Sequence, residues 1–427
     1  MKKALGFVGI LIVLIVLGVW WLSAPDRETG EAPQPATPAS ADAVTRGREL
    51  VGLGGCQSCH TARGGALFAG GRPIPTPFGV FYAPNITPDA ATGLGSWSAT
   101  DFWRALHDGY SKKGGALYPT FPYTNYTRIS RQDAEAMYAY LRTIQPVKQV
   151  NRHHELKFPY DYRPLLLAWR WLFFRPGVYQ SDPAHDTQWN RGAYLVQGLG
   201  HCSACHEARN ALGATRSEAG PTGGLVLNWY APSLVTPREA GVQHWTDAEV
   251  MTLLKTGVLD TRAMTVGPMA EVVAESLQHT PDDELQAMAT YLRSLPAMEP
   301  PAQATATQTP YVLRPAERAR GEELYKKNCA NCHGDHGEGR DPAAPPLVNN
   351  RTITMASAVN PIRLVLFGGY PPGTAGNPRP FGMPPFSLTL DDEQIAEVLN
   401  YVRTSWGNSA HPVRGEEVSA NRGNPLW

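Results

Sequence analysis

The chain has 427 residues, room for about three or four units of ~100–150 residues each. Basic and acidic residues balance at 38 each, so no polyanion partner is suggested and no nucleic acid is expected. With 41 glycines and 38 prolines, the chain is rich in loops.

Residues 1–23 open with Lys2 and Lys3, followed by an uncharged apolar run from Ala4 to Leu22. About 19 residues at a rise of 1.5 Å nearly span a hydrocarbon core of about 30 Å. Trp20 and Trp21 stand at the exit, where indoles favour the interface. The run is longer than the apolar region of a cleaved secretory signal, and no A-x-A-like site follows it. A retained anchor in the bacterial inner membrane is expected, with everything beyond it on the periplasmic side. Residues 24–43 are rich in Pro and Ala and read as an extended tether.

One pattern then occurs three times, over residues 44–150, 187–297 and 315–407. Each copy opens on an Arg-Gly step: Arg46-Gly47, Arg191-Gly192, Arg320-Gly321. Each runs into C-x-x-C-H, as Cys56-Gln57-Ser58-Cys59-His60, Cys202-Ser203-Ala204-Cys205-His206 and Cys329-Ala330-Asn331-Cys332-His333. That motif attaches c-type haem: the thiols add to the vinyl groups and the histidine binds the iron. The copies consume all 6 cysteines, leaving none for a disulfide, a zinc site or a nucleophile. Three covalent haems are expected, with His60, His206 and His333 as proximal ligands. After each motif come Tyr82-Ala83-Pro84-Asn85-Ile86, Tyr230-Ala231-Pro232-Ser233-Leu234 and a looser Ala344-Pro345-Pro346-Leu347. Trp97 and Trp245 precede helices expected at 98–107 and 246–256. Closing amphipathic helices are expected at 130–143, 280–295 and 389–404, with Ser or Thr as N-caps. The fold class expected is all-α: three tandem c-type cytochrome domains behind an N-terminal transmembrane helix.

Between the copies, residues 151–186 form a connector whose stretch 162–175 is apolar, aromatic and flanked by arginine. It is too short to span a bilayer. It fits an interface, a partner surface or packing between domains. Residues 298–314 are a linker and 408–427 a polar tail.

The second axial ligand should come from the loop before each closing helix, commonly as a Met thioether that raises the potential. In the third copy Met383, within Phe381-Gly382-Met383-Pro384-Pro385-Phe386, fits, and Met355 lies too early. In the second, Met269 in Gly267-Pro268-Met269-Ala270 fits, with Met264 close by. The first copy puts Phe121 in that slot, within Leu117-Tyr118-Pro119-Thr120-Phe121-Pro122-Tyr123. Its distal ligand stays open. His107, Met137, His153 and His154 are the weaker candidates, and a pentacoordinate iron walled by Phe121 is the other option.

There is no dinucleotide fingerprint, P-loop, G-x-S-x-G or H-E-x-x-H. The chain therefore moves electrons and is no enzyme by itself. The motifs resemble the three-haem cytochrome c subunits of bacterial membrane-bound dehydrogenases. The likeness rests on Gly200-His201-Cys202-Ser203-Ala204-Cys205-His206, Arg209-Asn210-Ala211-Leu212-Gly213, Gly267-Pro268-Met269-Ala270-Glu271-Val272-Val273, Met383-Pro384-Pro385-Phe386 and Tyr82-Ala83-Pro84-Asn85-Ile86-Thr87. The resemblance implies a large periplasmic dehydrogenase subunit as electron donor and ubiquinone as acceptor. The Tyr-Pro-x-Phe-Pro-Tyr loop and the anchor favour a molybdenum-dependent aldehyde dehydrogenase, which would add a small iron-sulfur subunit. Quinoprotein alcohol dehydrogenases and flavin-dependent sugar or sugar-acid dehydrogenases are the alternative donors. A stand-alone cytochrome serving an oxidase, or a ligand-binding or peroxidase-like role at the first haem, are the other functional classes.

Overall fold

The structure, a computed structural model, describes residues 40–216, 220–259, 262–298, 312–340 and 344–423. The apolar run of 1–23 lies outside the described residues. Among those described, no helix is long and apolar enough to cross a membrane. The longest, Pro315–Asn328, has 14 residues, about 21 Å of helix against a core of about 30 Å. The expected transmembrane helix, and the inner-membrane anchoring with periplasmic haem segments that depended on it, are corrected to that extent.

Two further corrections concern the fold class. The described residues are not all helical: they include one three-stranded and two two-stranded sheets. They also divide into two compact units rather than three tandem domains. The first unit runs to Ser181 and includes Gln197–His201; the second comprises Asp182–Val196 and Cys202 onwards. Two of the repeated segments fall in one unit because elements of the last pack directly on strands of the middle one, as where Asn360 bonds the backbone of Tyr230.

In the first unit, α1 (Ala41–Leu53) is capped by Ser40, whose hydroxyl accepts from the Ala43 N–H at 3.1 Å. It leads into α2 (Cys56–His60), the haem motif. The hairpin β1 (Pro73–Thr76) and β2 (Gly79–Tyr82) follows, joined on its far edge by β3 (Glu155–Leu156). Gly79 permits that third strand: a Cβ there would lie 2.3 Å from the Glu155 carbonyl oxygen. Helix α3 (Ala99–His107) starts at a reciprocal capping box of Ser98 and Asp101. A short turn α4 (Tyr123–Tyr126) precedes α5 (Arg131–Leu141), capped by Ser130 as expected. The connector helix α6 (Leu165–Phe173) buries Leu166 against Tyr110 and Ala116 and leaves Leu165, Trp171 and Leu172 exposed. Its one charged side chain, Arg170, points inward and stacks over the Tyr110 ring at 4.3 Å.

In the second unit, α7 (Thr187–Tyr194) and α8 (Ser203–His206) belong to the middle segment. So do the hairpin β4 (Gly224–Val226) and β5 (Trp229–Ala231), α9 (Asp247–Thr256), and the hairpin β6 (Val258–Leu259) and β7 (Ala263–Met264). Helices α10 (Pro268–Glu275) and α11 (Asp282–Ser294) complete it. Thr246 caps α9, whereas Pro281, not the expected Thr280, stands at the start of α11. The last segment contains α12 (Pro315–Asn328), α13 (Ala330–His333), α14 (Arg351–Thr354), α15 (Val359–Phe367), α16 (Asp392–Thr404) and α17 (Gly415–Arg422). The cap of α16 is Asp391, boxed with Gln394, rather than Thr389. The tail is part of this core: Val413 and Val418 are buried with Ile362, Leu366 and Ile395.

The Arg-Gly steps acquire a reason. Each glycine sits where the first helix crosses the closing helix at backbone contact. A Cβ would fall 1.9 Å from the Ala136 carbonyl oxygen at Gly47, 1.9 Å from that of Ala287 at Gly192, and 2.7 Å from that of Glu397 at Gly321. Glycine inside a helix costs about 1 kcal/mol relative to alanine, so the close crossing must offset that cost. The adjacent arginine then ties the same two helices. Arg46 meets Asp133 at 3.6 Å, Arg191 grips Glu284 with two bonds of 2.6 and 2.7 Å, and Arg320 meets Glu397 at 2.6 Å.

Candidate functional site

The three C-x-x-C-H loops share one geometry. The Nδ1 of His60 donates to the Pro84 carbonyl at 2.7 Å, that of His206 to the Pro232 carbonyl at 2.7 Å, and that of His333 to the Pro345 carbonyl at 2.9 Å. A carbonyl can only accept, so Nδ1 carries the proton. In the neutral ring Nε2 then keeps its lone pair, the state an iron ligand needs. Burial holds all three imidazoles below the usual histidine range, with the carbonyl bond opposing it. The repeated prolines after each motif thus supply the carbonyl that orients the histidine.

Burial, reinforced by the partner thiol, pushes Cys56, Cys202 and Cys329 each up to about 12. All six cysteines are unbridged. A half-buried neutral imidazole whose Nε2 keeps its lone pair, next in sequence to an unbridged thiol pair, is the donor set that covalent haem requires, so the residues fit the group at each loop. Among the described residues no cluster of His, Cys, Asp or Glu forms another metal site.

Arginines fix two of the loops, which the sequence did not announce. Arg72 donates to the Ser58 carbonyl at 2.5 Å, and Arg209 to the Ala204 carbonyl at 2.7 Å. Both carbonyls belong to the residue just before the second cysteine. The arginines come from different sequence offsets, so only the fold reveals their equivalence.

The loops expected to supply the second ligand differ between the segments. Met383 is held by reciprocal backbone bonds with Gly369, of 2.8 and 3.1 Å. The competing Met355 is buried, with its carbonyl accepting from Arg403 at 3.2 Å. Met269 is the second residue of α10, and the preceding Gly267 lies bare against the Trp229 indole, 2.5 Å from where a Cβ would be. Met264 lies on β7, paired with Val258.

In the first unit Phe121 lies beside Tyr126, with ring centroids 5.4 Å apart. Tyr126 donates to the Gly54 carbonyl at 2.8 Å, just ahead of the haem motif. His107 is occupied at its helix end, with Nδ1 2.8 Å from Asp108 and its ring stacked on Trp103. Met137 is wholly buried in the core face of α5. His153 is exposed. The Nδ1 of His154 accepts the Tyr82 N–H at 3.2 Å, which in the neutral ring leaves the proton on Nε2 and no lone pair for iron. His201 was not foreseen near this loop. Its ring packs on Tyr126 at 5.3 Å, its Nδ1 donates to Leu199 at 3.0 Å, and its backbone is left-handed at φ 39°.

These loops define a c-type cytochrome. The cytochrome c family model matches residues 44–145 and 318–406. Among curated relatives, a nicotinate dehydrogenase subunit of Pseudomonas putida is 40% identical over 377 residues; the match covers 86% of this chain and 31% of that protein. The chain thus spans about a third of the length of that relative. The cytochrome c subunit of the quinone-dependent alcohol dehydrogenase of Gluconobacter oxydans is 37% identical, covering 86% of this chain and 79% of the relative. The gluconate 2-dehydrogenase cytochrome c subunit of Pantoea cypripedii is 36% identical, covering 89% and 92%. The chain belongs to the family of cytochrome c subunits of dehydrogenase complexes, electron carriers that leave catalysis to a partner subunit.

Proposed function

We propose that all three loops hold covalent haem and that the chain carries electrons from a dehydrogenase catalytic subunit to ubiquinone. The observation that carries the count is the threefold histidine-to-proline-carbonyl bond, present also at His206, outside the stretches the family model matches. When bound, haem iron takes up and releases one electron. The chain's own part is to hold each imidazole in the metal-binding tautomer and to offer Met269 and Met383 as axial thioethers. It also keeps the loops rigid through Arg72 and Arg209.

The favoured donor is a molybdenum-dependent aldehyde dehydrogenase with a small iron-sulfur subunit, a reading that leans on the Tyr-Pro-x-Phe-Pro-Tyr loop. Purification of the tagged chain from its native cell tests this. A large subunit containing molybdenum, with an iron-sulfur companion, is expected, and the complex should reduce ubiquinone when given aldehyde. A flavin or a quinone cofactor in the large subunit would replace this donor with a sugar, sugar-acid or alcohol dehydrogenase. A chain recovered without any large subunit would contradict the subunit role.

A further inference from the structure

We propose that the last segment of the chain sets the iron environment of the middle one, with Asn360 as the positioning residue. This rests on haem being held at His206. Asn360 lies on α15 and is buried. Its Oδ1 accepts the Tyr230 N–H at 2.9 Å and its Nδ2 donates to the Tyr230 carbonyl at 2.8 Å. The amide thereby does what a neighbouring strand would do, satisfying both backbone groups on the outer edge of β5. In the hairpin Tyr230 faces Leu225, and Asn360 closes its other side.

Two residues beyond Tyr230 is Pro232, whose carbonyl receives the His206 Nδ1–H. The grip on Tyr230 therefore fixes the strand end that aims the proximal ligand. One residue before it is Trp229, whose ring packs on Gly267 beside Met269. One turn along α15, the buried guanidinium of Arg363 lies 5.2 Å from the centre of that Trp229 ring.

A second contact meets the end of α10. Gln278, in the turn just after α10, donates from Nε2 to the Gly373 carbonyl at 3.1 Å and accepts the Ala375 N–H on Oε1 at 3.0 Å. Nearby, a Cβ on Gly257 would lie 2.3 Å from the Pro372 ring. The last segment thus holds the strand leading to the His206 acceptor and the end of the helix carrying Met269. A ligand bond to a carbonyl raises imidazole basicity and favours ferric iron. Loosening Pro232 should therefore raise the potential at His206.

The test is a spectroelectrochemical titration of the full-length haem-loaded protein, resolved into its components. Asn360→Leu should raise the midpoint potential of one component and leave the other two unchanged. Gln278→Leu should weaken the near-infrared methionine-to-iron absorption of that same component. A general loss of packing would instead disturb the component at His333, the site in the segment to which Asn360 belongs. Should Asn360→Leu fail to accumulate, Asn360→Ser is titrated in its place, with the same single shift expected. Three unchanged potentials with every haem retained, or a shift at the His333 component, would overturn the proposal. Absence of haem on Cys202 and Cys205 in the unaltered protein would instead overturn the three-haem reading beneath it.

Discussion

Around Cys56 and around Cys202 the chain builds the same proximal half-site. A glycine lets the first helix cross the closing helix where a Cβ would fall 1.9 Å from a carbonyl oxygen, a proline carbonyl takes the histidine Nδ1–H at 2.7 Å, and an arginine holds the loop. The distal halves part company. At Cys202 a helix begins one residue before Met269; at Cys56 the corresponding loop presents Phe121 within an aromatic group of Tyr126 and His201. In the three-haem reading, the proximal half answers to haem attachment, which is the same everywhere. The distal half sets potential and access, and there the copies are free to diverge.

The largest effect should come from filling the shared helix crossing. Gly47→Ala and Gly192→Ala should each destabilise by about 2–3 kcal/mol, because a backbone carbonyl blocks the new methyl. Gly321→Ala, with 2.7 Å available, should cost about 1 kcal/mol. Urea unfolding followed by circular dichroism checks the ranking; three equal losses would break it.

On the distal side, Met383→Ala should lower the potential of one haem and spare the others, and an unchanged redox titration would refute that assignment. The reduced protein should bind carbon monoxide at about one haem in three. Phe121→Met should abolish that binding and raise the potential of the same haem. A wholly six-coordinate, low-spin resting spectrum would show that another residue already ligates this iron.

The smallest contrast lies in the helix-tying arginines. Arg191→Met breaks a two-bond pair with the buried Glu284 and should cost about 2 kcal/mol. Arg46→Met loses a looser 3.6 Å pair with Asp133 and should cost about 0.5 kcal/mol. Chemical denaturation of both variants compares them directly.

Much of this was legible in the chain because it is local. The C-x-x-C-H motifs, the Ser130 cap and the closing helices are written in adjacent residues. The Arg-Gly steps were visible as a repeat, but their purpose lies in a partner helix far along the chain. Thr280 and Thr389 were misplaced as caps because Pro281 and Asp391 lie nearer the first helical turn. Division into two units was not readable, since Asn360 and Gln278 look like ordinary polar residues until their backbone partners in the neighbouring segment are known. Hairpins such as β1–β2 escaped an all-helical expectation because four-residue strands carry little periodic signal.

Every thiol pair in this chain should carry a porphyrin, and intact-protein mass spectrometry of material from a haem-attaching host counts them. A mass raised by three haems is expected, with proteolytic fragments placing one on each of the Cys56/Cys59, Cys202/Cys205 and Cys329/Cys332 pairs. A mass raised by two, with the Cys202/Cys205 fragment unmodified, would contradict it.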